Sequence, residues 1–258
     1  MNKKIRFLED SLLVDEKILV ITDLHIGYEE SVMGKSLFIR TQLKEIIEKL
    51  DRIFRYLDDK KLKIKEVIIL GDLKHEFGTI SDSEWRETLR FLDYLLRKTD
   101  NIKLIRGNHD TILGPVANKR GIEILDYYKI GMKNNKKQKN ICFLHGDKIH
   151  GDCLESDILI IGHLHPAITL YDEYKNEKFK CFLKGKWKVN GKVKEVYVLP
   201  SFLPLIWGYD INELRGFDKK NKFSIVHEKD LKNFNVIIYN GKDDKVHDFG
   251  ELKKLVKW

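Results

Sequence analysis

Five short motifs punctuate the first 165 residues: Asp23-Leu24-His25, Gly71-Asp72, Gly107-Asn108-His109-Asp110, His145-Gly146-Asp147 and Gly162-His163-Leu164-His165. Together they supply the carboxylates, amide and imidazoles that a pair of divalent cations needs. An Asp and a His one residue apart at a strand exit point the same way, so Asp23 and His25 can reach one ion. Asp72 has two oxygens with which to bridge two ions. Asn108 offers a neutral carbonyl oxygen, and His145, His163 and His165 offer ring nitrogens. Mixed nitrogen and oxygen donors suit manganese, iron or zinc better than magnesium or calcium. The set contains no thiolate, which argues against a structural zinc. Any single motif is ordinary, since Gly-Asp often closes an Asx turn. The conjunction is not: seven of the nine histidines lie between His25 and His165, and five of those seven stand in these motifs.

Each motif follows a short apolar run: Lys17–Ile21, Val67–Leu70, Ile102–Ile105, Ile141–Leu144 and Ile158–Ile161. Runs of this length read as buried strands, and polar groups at their exits lie where open α/β sheets place their sites. Between the first two motifs, Leu43, Ile46, Ile47, Leu50, Ile53, Phe54 and Leu57 recur at helical spacing. A second helix is expected after Ser81, with Ser81 and Glu84 at capping-box spacing and Trp85, Leu89, Leu92, Leu95 and Leu96 facing inward. Beyond Asn108 the chain reads as short strands near 121–125, 127–132, 141–144, 158–161, 167–171, 180–183 and 193–199. Val189-Asn190-Gly191 marks a hairpin turn. Further strands are expected over 223–226 and 236–239, with Asn240-Gly241 as a turn. No linker or internal repeat interrupts residues 1–258, and one domain with two sheets between helical layers accounts for the pattern.

The chain has 258 residues, 42% of them hydrophobic, and only four prolines, which is a globular and not a disordered composition. A net charge of +8 with 34% charged residues fits either a polyanionic partner or the Lys- and Glu-rich habit of heat-adapted proteins. Cys142, Cys153 and Cys181 show no C-x-x-C spacing and no disulfide framework. Cys142 reads as a small core residue, and a reducing compartment is expected. The charged N-terminus lacks a signal-peptide core and no run approaches a membrane span, so the expected location is cytoplasmic, with no membrane partner.

The order D-x-H, G-D, G-N-H-D, H, G-H-x-H resembles the calcineurin-like metallophosphoesterase superfamily over residues 17–165. The resemblance implies an α/β four-layer αββα sandwich with a two-metal site at the C-terminal ends of strands. It implies one cation on Asp23, His25, Asp72 and His165, and another on Asp72, Asn108, His145 and His163. Manganese is the first expectation, with iron, zinc or nickel as alternatives. His109 matches the family's catalytic imidazole beside the leaving group. His75, three residues after Asp72, resembles the histidine that double-strand-break repair nucleases of the SbcD group carry there. It is expected to act with His109, orienting it or holding the substrate backbone. Leu199-Pro200-Ser201-Phe202-Leu203-Pro204 is similar to the return strand of small prokaryotic phosphoesterases. On this resemblance the chain is an SbcD-related phosphoesterase without the repair nuclease's DNA-capping domain or ATPase-binding tail.

The expected reaction is phosphoester hydrolysis by a hydroxide activated between two metals. Three readings follow. The first is a phosphodiesterase with nuclease activity acting on DNA or RNA. The second is a phosphodiesterase or phosphatase for nucleotides or other small molecules. The third is a catalytically silent binding protein, which the intact ligand set disfavours. Basic segments at 60–65, 133–139, 184–194 and 219–222 give the first reading its charge. Trp187, in the third of these, reads first as part of a solvated hairpin and second as a base-stacking residue.

Overall fold

Strands β1 (Ile5–Leu8), β2 (Ser11–Val14), β3 (Ile18–Ile21), β4 (Glu66–Ile69), β5 (Ile102–Ile105) and β6 (Ile124–Leu125) form one sheet in that order in the computed structural model. The structure describes residues 5–34, 40–134, 137–172, 175–213 and 224–255. From β3 to β6 the strands are parallel, with Ile21 opposite Ile69 and Ile69 opposite Leu104. Parallel neighbours require crossovers. Helices α2 (Gln42–Asp59) and α3 (Asp82–Leu96) provide them, preceded by the short α1 (Tyr28–Met33). Helix α4 (Gly114–Asn118) makes the last crossover.

Both faces of this sheet are buried, and strand alternation sorts the residues. Leu19, Ile21, Val67 and Ile69 pack with Ile46, Leu50, Ile53 and Leu57 of α2 and Phe91, Leu92 and Leu95 of α3. Ile18, Val20, Ile68 and Leu70 face the other way, against Ile141, Phe143, Ile158, Ile160 and Phe182 of a second sheet. Each such side chain contributes about 1.5–3 kcal/mol by leaving water. This is why the runs are continuously apolar rather than alternating.

The second sheet contains β7 (Tyr127–Asn134), β8 (Lys137–Leu144) and β9 (Ile158–Ile161). Strands β10 (Pro166–Tyr171) and β11 (Asn176–Lys180) leave it to form a small sheet with β14 (Tyr209–Asp210). The chain then returns through β12 (Phe182–Val189), β13 (Lys192–Val198), β15 (Asn235–Asn240) and β16 (Lys245–Glu251). Spatial order in the second sheet is β16-β15-β12-β13-β9-β8-β7, with β8, β9 and β13 parallel. Its outer face packs Leu159, Ile161, Leu183 and Val198 under Ile168, Ile211 and Phe234, Leu231 of α5 (Glu228–Leu231) and Leu252 of α6 (Leu252–Leu255). The α/β sandwich of two sheets between outer layers is therefore present. One outer layer is built from two long helices, the other from two one-turn helices and the small sheet.

Several details differ from the sequence reading. The run 180–183 is not one strand. Cys181 separates β11 from β12, and the two belong to different sheets. Residues 224–226 are not a strand, and Phe223 lies outside the described residues. The β1–β2 hairpin and β16 were not anticipated. Cys142 and Cys153 are disulfide-bonded, with their Cα atoms 5.5 Å apart, while Cys181 is free and buried. The expectation of unpaired cysteines is corrected, because the strand end of β8 and the 3-10 turn at 151–155 bring the two together. Trp187 is only 6% exposed and belongs to the core beneath β12. Lys184 and Lys192 of that hairpin pair with Glu195 and Glu155, and Lys194 is buried on the carbonyls of Leu154 and Ser156. The segment thus has a structural use and does not present a base-stacking surface. Residues 219–222 lie outside the described residues, and no helix among the described residues is long and apolar enough to cross a membrane.

Candidate metal centre

Strands β3, β4, β5, β8 and β9 end on one side of the sandwich, and all five motifs meet there. The first two loops run on as a ladder. Asp23 N–H donates to Gly71 O at 3.1 Å, His25 N–H to Asp72 O at 2.9 Å, and His75 N–H to Ile26 O at 2.9 Å. Five of the eleven non-glycine residues with positive φ among the described residues are Asp23, His25, Asp72, His163 and His165. Such backbone is strained for these side chains, and it clusters where a site over-determines the chain.

Two groups of donors result. In the first, His165 Nε2 lies 3.1 Å from Asp23 Oδ1 and 3.4 Å from His25 Nε2. In the second, His145 Nε2 lies 3.3 Å from Asp72 Oδ2, 3.1 Å from His163 Nδ1 and 3.0 Å from Asn108 Oδ1. The same Asp72 Oδ2 is 3.7 Å from His25 Nε2, so one carboxylate oxygen faces both groups. All seven candidate ligands therefore converge, and each group could hold a metal ion.

The remaining atoms of these side chains are tied down in ways that turn the converging ones towards the centre. Asp23 Oδ2 accepts from Thr22 Oγ1 and His163 N–H, whereas buried Asp23 Oδ1 has no hydrogen-bond donor. A buried, unsatisfied carboxylate oxygen is costly, and a cation relieves it. His145 Nδ1 lies 2.7 Å from Leu70 O, which fixes the ring so that Nε2 faces the centre. Burial alone would lower the His145 imidazole, but the nearby Asp72 and Asp23 carboxylates outweigh it and carry it up to about 10. Burial would raise Asp23, yet His165, His145 and His25 hold it well below the usual carboxylate range. Burial, reinforced by His165, depresses His25 to about 3, which leaves a neutral ring suited to ligation. Donor chemistry, the orphaned oxygen and fixed rings all fit a pair of divalent metals.

His109 sits beside this centre, with Nε2 3.9 Å from Asp72 Oδ2. Its Nδ1 contacts the main-chain carbonyl of His75, an acceptor, which turns Nε2 inward. His75 places its own ring near His25, Nδ1 to Nδ1 at 3.3 Å, and stacks on His109 at 5.5 Å between centroids. Asp110 has no part in setting the His109 tautomer. Its carboxylate accepts from the N–H groups of Gly107, Leu73 and Lys74, stitching two motif loops together. Burial, with Asp72 nearby, pushes Asp110 up to about 7.

Other positioning residues escaped sequence reading. Gln42 Nε2 donates to His25 O at 2.6 Å and Leu24 O at 3.2 Å, fastening the first motif to α2. Glu84 does not complete the capping box reciprocally. Ser81 caps α3 by accepting Glu84 N–H, but Glu84 Oε1 instead accepts from His75 and Glu76 N–H at 2.7 and 3.0 Å. Ser201, within the Pro-Ser stretch already singled out, donates to Asp23 O at 2.7 Å from behind.

Residues 16–256 match the family model of calcineurin-like phosphoesterases. The chain belongs to that family. Its members are hydrolases of phosphoester bonds, and this chain carries the His and Asp groups for divalent metals. Among solved structures it is similar to the Pseudomonas putida nuclease MPE, at 18% identity over 92% of each chain and a TM-score of 0.56. It is also similar to Yfce, a phosphoesterase from E. coli, at 11% identity over 91% of this chain and 98% of that one, with a TM-score of 0.40. No curated protein matches the chain closely enough to count as a relative.

Proposed function

We propose that this phosphoesterase is a dinuclear metal-dependent phosphodiesterase, with manganese as its working metal and nucleic acid as its substrate class. One observation carries the reading: Asp72 Oδ2 stands between two imidazole-carboxylate groups, with His109 Nε2 facing the same oxygen. Asp23, His25, Asp72 and His165 would hold one cation, and Asp72, Asn108, His145 and His163 the other. When bound, such a pair supplies Lewis acidity and a nucleophile derived from water at neutral pH.

The chain's own residues supply the rest. His109, its Nδ1 held by the His75 carbonyl, offers a protonated Nε2 to the leaving oxygen. Leu70 O keeps His145 in the tautomer whose Nε2 faces the metals, and the His75 ring does the same for His25. A diester carries one negative charge and a monoester up to two. Among the described residues of the motif loops, Lys74 is buried and gives its ammonium to the Glu76 carbonyl, while the exposed Arg106 and Lys148 lie beside Asp126 and Asp147, so none is a cation committed to the second charge. That favours the diester. Nucleic acid is supported by the nuclease-type position of His75 and by the nuclease among the similar folds. The shared interior between the two sheets supports reading residues 1–258 as one domain.

The test is anaerobic purification with metal analysis, followed by manganese-dependent assays on bis-p-nitrophenyl phosphate, p-nitrophenyl phosphate and single-stranded oligonucleotides. About two equivalents of metal are expected in the wild type and almost none in Asp72→Ala. Cleavage of the diester should exceed that of the monoester. Faster hydrolysis of the monoester would overturn the diesterase reading, and two metals retained in Asp72→Ala would overturn the bridging assignment.

A further inference from the structure

Phe77 is a large apolar side chain left 61% exposed at the edge of the centre. One face of its ring is not idle: it packs on the His109 imidazole with centroids 3.6 Å apart and planes inclined by 35°. The opposite side is open to solvent. The loop that presents it is fastened from below, since Glu84 accepts the N–H groups of His75 and Glu76, and Lys74 donates to Glu76 O. The ring is thus held in place beside His109 with most of its apolar surface left in water.

We propose that Phe77 is a stacking platform for the nucleobase on the leaving-group side of the scissile phosphodiester, and thereby a specificity determinant of the reaction. The inference rests on the phosphodiesterase reading above and adds to it which part of the substrate is recognised. The side follows from geometry. His109 is the group that hands a proton to the leaving oxygen, so whatever is attached to that oxygen lies against the flank of His109, where Phe77 stands. The class follows from chemistry. A flat, rigid, exposed aromatic face recognises another flat π-system, and every nucleobase has one, so the platform tolerates all sequences.

The experiment uses the full-length, manganese-loaded chain and three substrates: a thymidine dinucleotide and two analogues, each lacking one of the two bases. The leaving half is identified as the one released as free nucleoside. Wild type should cleave the analogue without the leaving-side base roughly 10- to 100-fold less efficiently, in kcat/KM, than the complete dinucleotide. Phe77→Ala should remove that preference, bringing the two substrates within about threefold, and Phe77→Trp should restore it. An equal fall on all three substrates would overturn the proposal, because it would mean that Phe77 only shields His109. An unchanged preference in Phe77→Ala would overturn it as well. So would a wild type that hydrolyses bis-p-nitrophenyl phosphate but none of the dinucleotides, with the phosphodiesterase reading left standing. A protein inert towards every diester removes that reading and the platform with it.

Discussion

His109 and His75 stack at 5.5 Å and both pack against His25, yet their ring nitrogens face different partners. His109 turns Nε2 towards Asp72 and the reacting centre, whereas His75 turns Nδ1 towards His25. What His75 gives His109 is its carbonyl, which any residue at that position would also have. Its side chain therefore acts through His25, as the partner that fixes the ring of a metal ligand. Burial, with His109 close by, keeps the His75 ring below its ordinary value, so it can accept the Nδ1 proton of His25. Two variants separate these roles. His109→Ala should keep its metal and lose about 10²–10⁴-fold in kcat, the scale of a lost general acid. His75→Ala should bind manganese about 10–100-fold more weakly but recover turnover when the metal is saturating. Metal analysis and activity titrated against manganese distinguish them. If His75→Ala at saturating manganese is as slow as His109→Ala, the His75 ring belongs to the chemistry itself.

The elements bring their motifs together only because glycine lets the loops touch. A Cβ on Gly107 would lie 2.2 Å from Asp72 Oδ1 and 2.3 Å from Asp72 N, and one on Gly162 would lie 2.0 Å from Thr22 Oγ1. Gly107→Ala must therefore displace Asp72, the residue common to both donor groups. A stability loss of about 1–3 kcal/mol is expected, as for other overpacked sites, together with loss of both metals. Gly114→Ala, where a Cβ meets nothing within 4 Å, is the control and should change neither. Circular dichroism on denaturant titration and metal analysis check the pair, and a Gly107→Ala protein with full metal content would refute the argument. At this scale the sequence was legible where burial is complete. Strands β3, β4, β5 and β9 are short, mostly apolar and closed by a motif, so length and punctuation revealed them. It was illegible where burial is partial. Strand β1 is mostly half-buried, and the first five residues of β16 are exposed, which erases the signal that alternation would give. The supports contributed by Gln42 and Glu84 were hidden for another reason: their partners are main-chain atoms 8 to 18 residues away, which no spacing rule encodes.

Across the whole molecule, the layers are tied behind the centre by one partly buried charge cluster. Asp10, in the turn between β1 and β2, meets Lys49 of α2 and Lys180 at the end of β11. Lys49 Nζ also donates to Phe202 O at 3.3 Å, and Lys180 Nζ to Ser201 O at 2.7 Å. Hairpin, helix, small sheet and the segment behind Asp23 thus share three charges. Burial depresses Lys180 to about 8 despite the nearby Asp10 carboxylate. Burial would raise Asp10, but the two ammonium groups outweigh it and hold the carboxyl below its ordinary 3.8. Asp10→Asn leaves the buried Lys49 and half-buried Lys180 ammonium groups without a counter-charge, and should cost about 3 kcal/mol at pH 7 by urea unfolding. The sign with pH follows from linkage. A carboxylate whose folded value is depressed contributes in full above 3.8, and that contribution disappears as pH falls through the lower folded value. Wild type and variant should therefore converge in acid. A gap that persists undiminished at about pH 2 would show that Asp10 acts through shape and hydrogen bonding, not charge. Metal content of the folded variant should be unchanged, because the Lys180 bond to Ser201 O and the Ser201 bond to Asp23 O do not pass through Asp10.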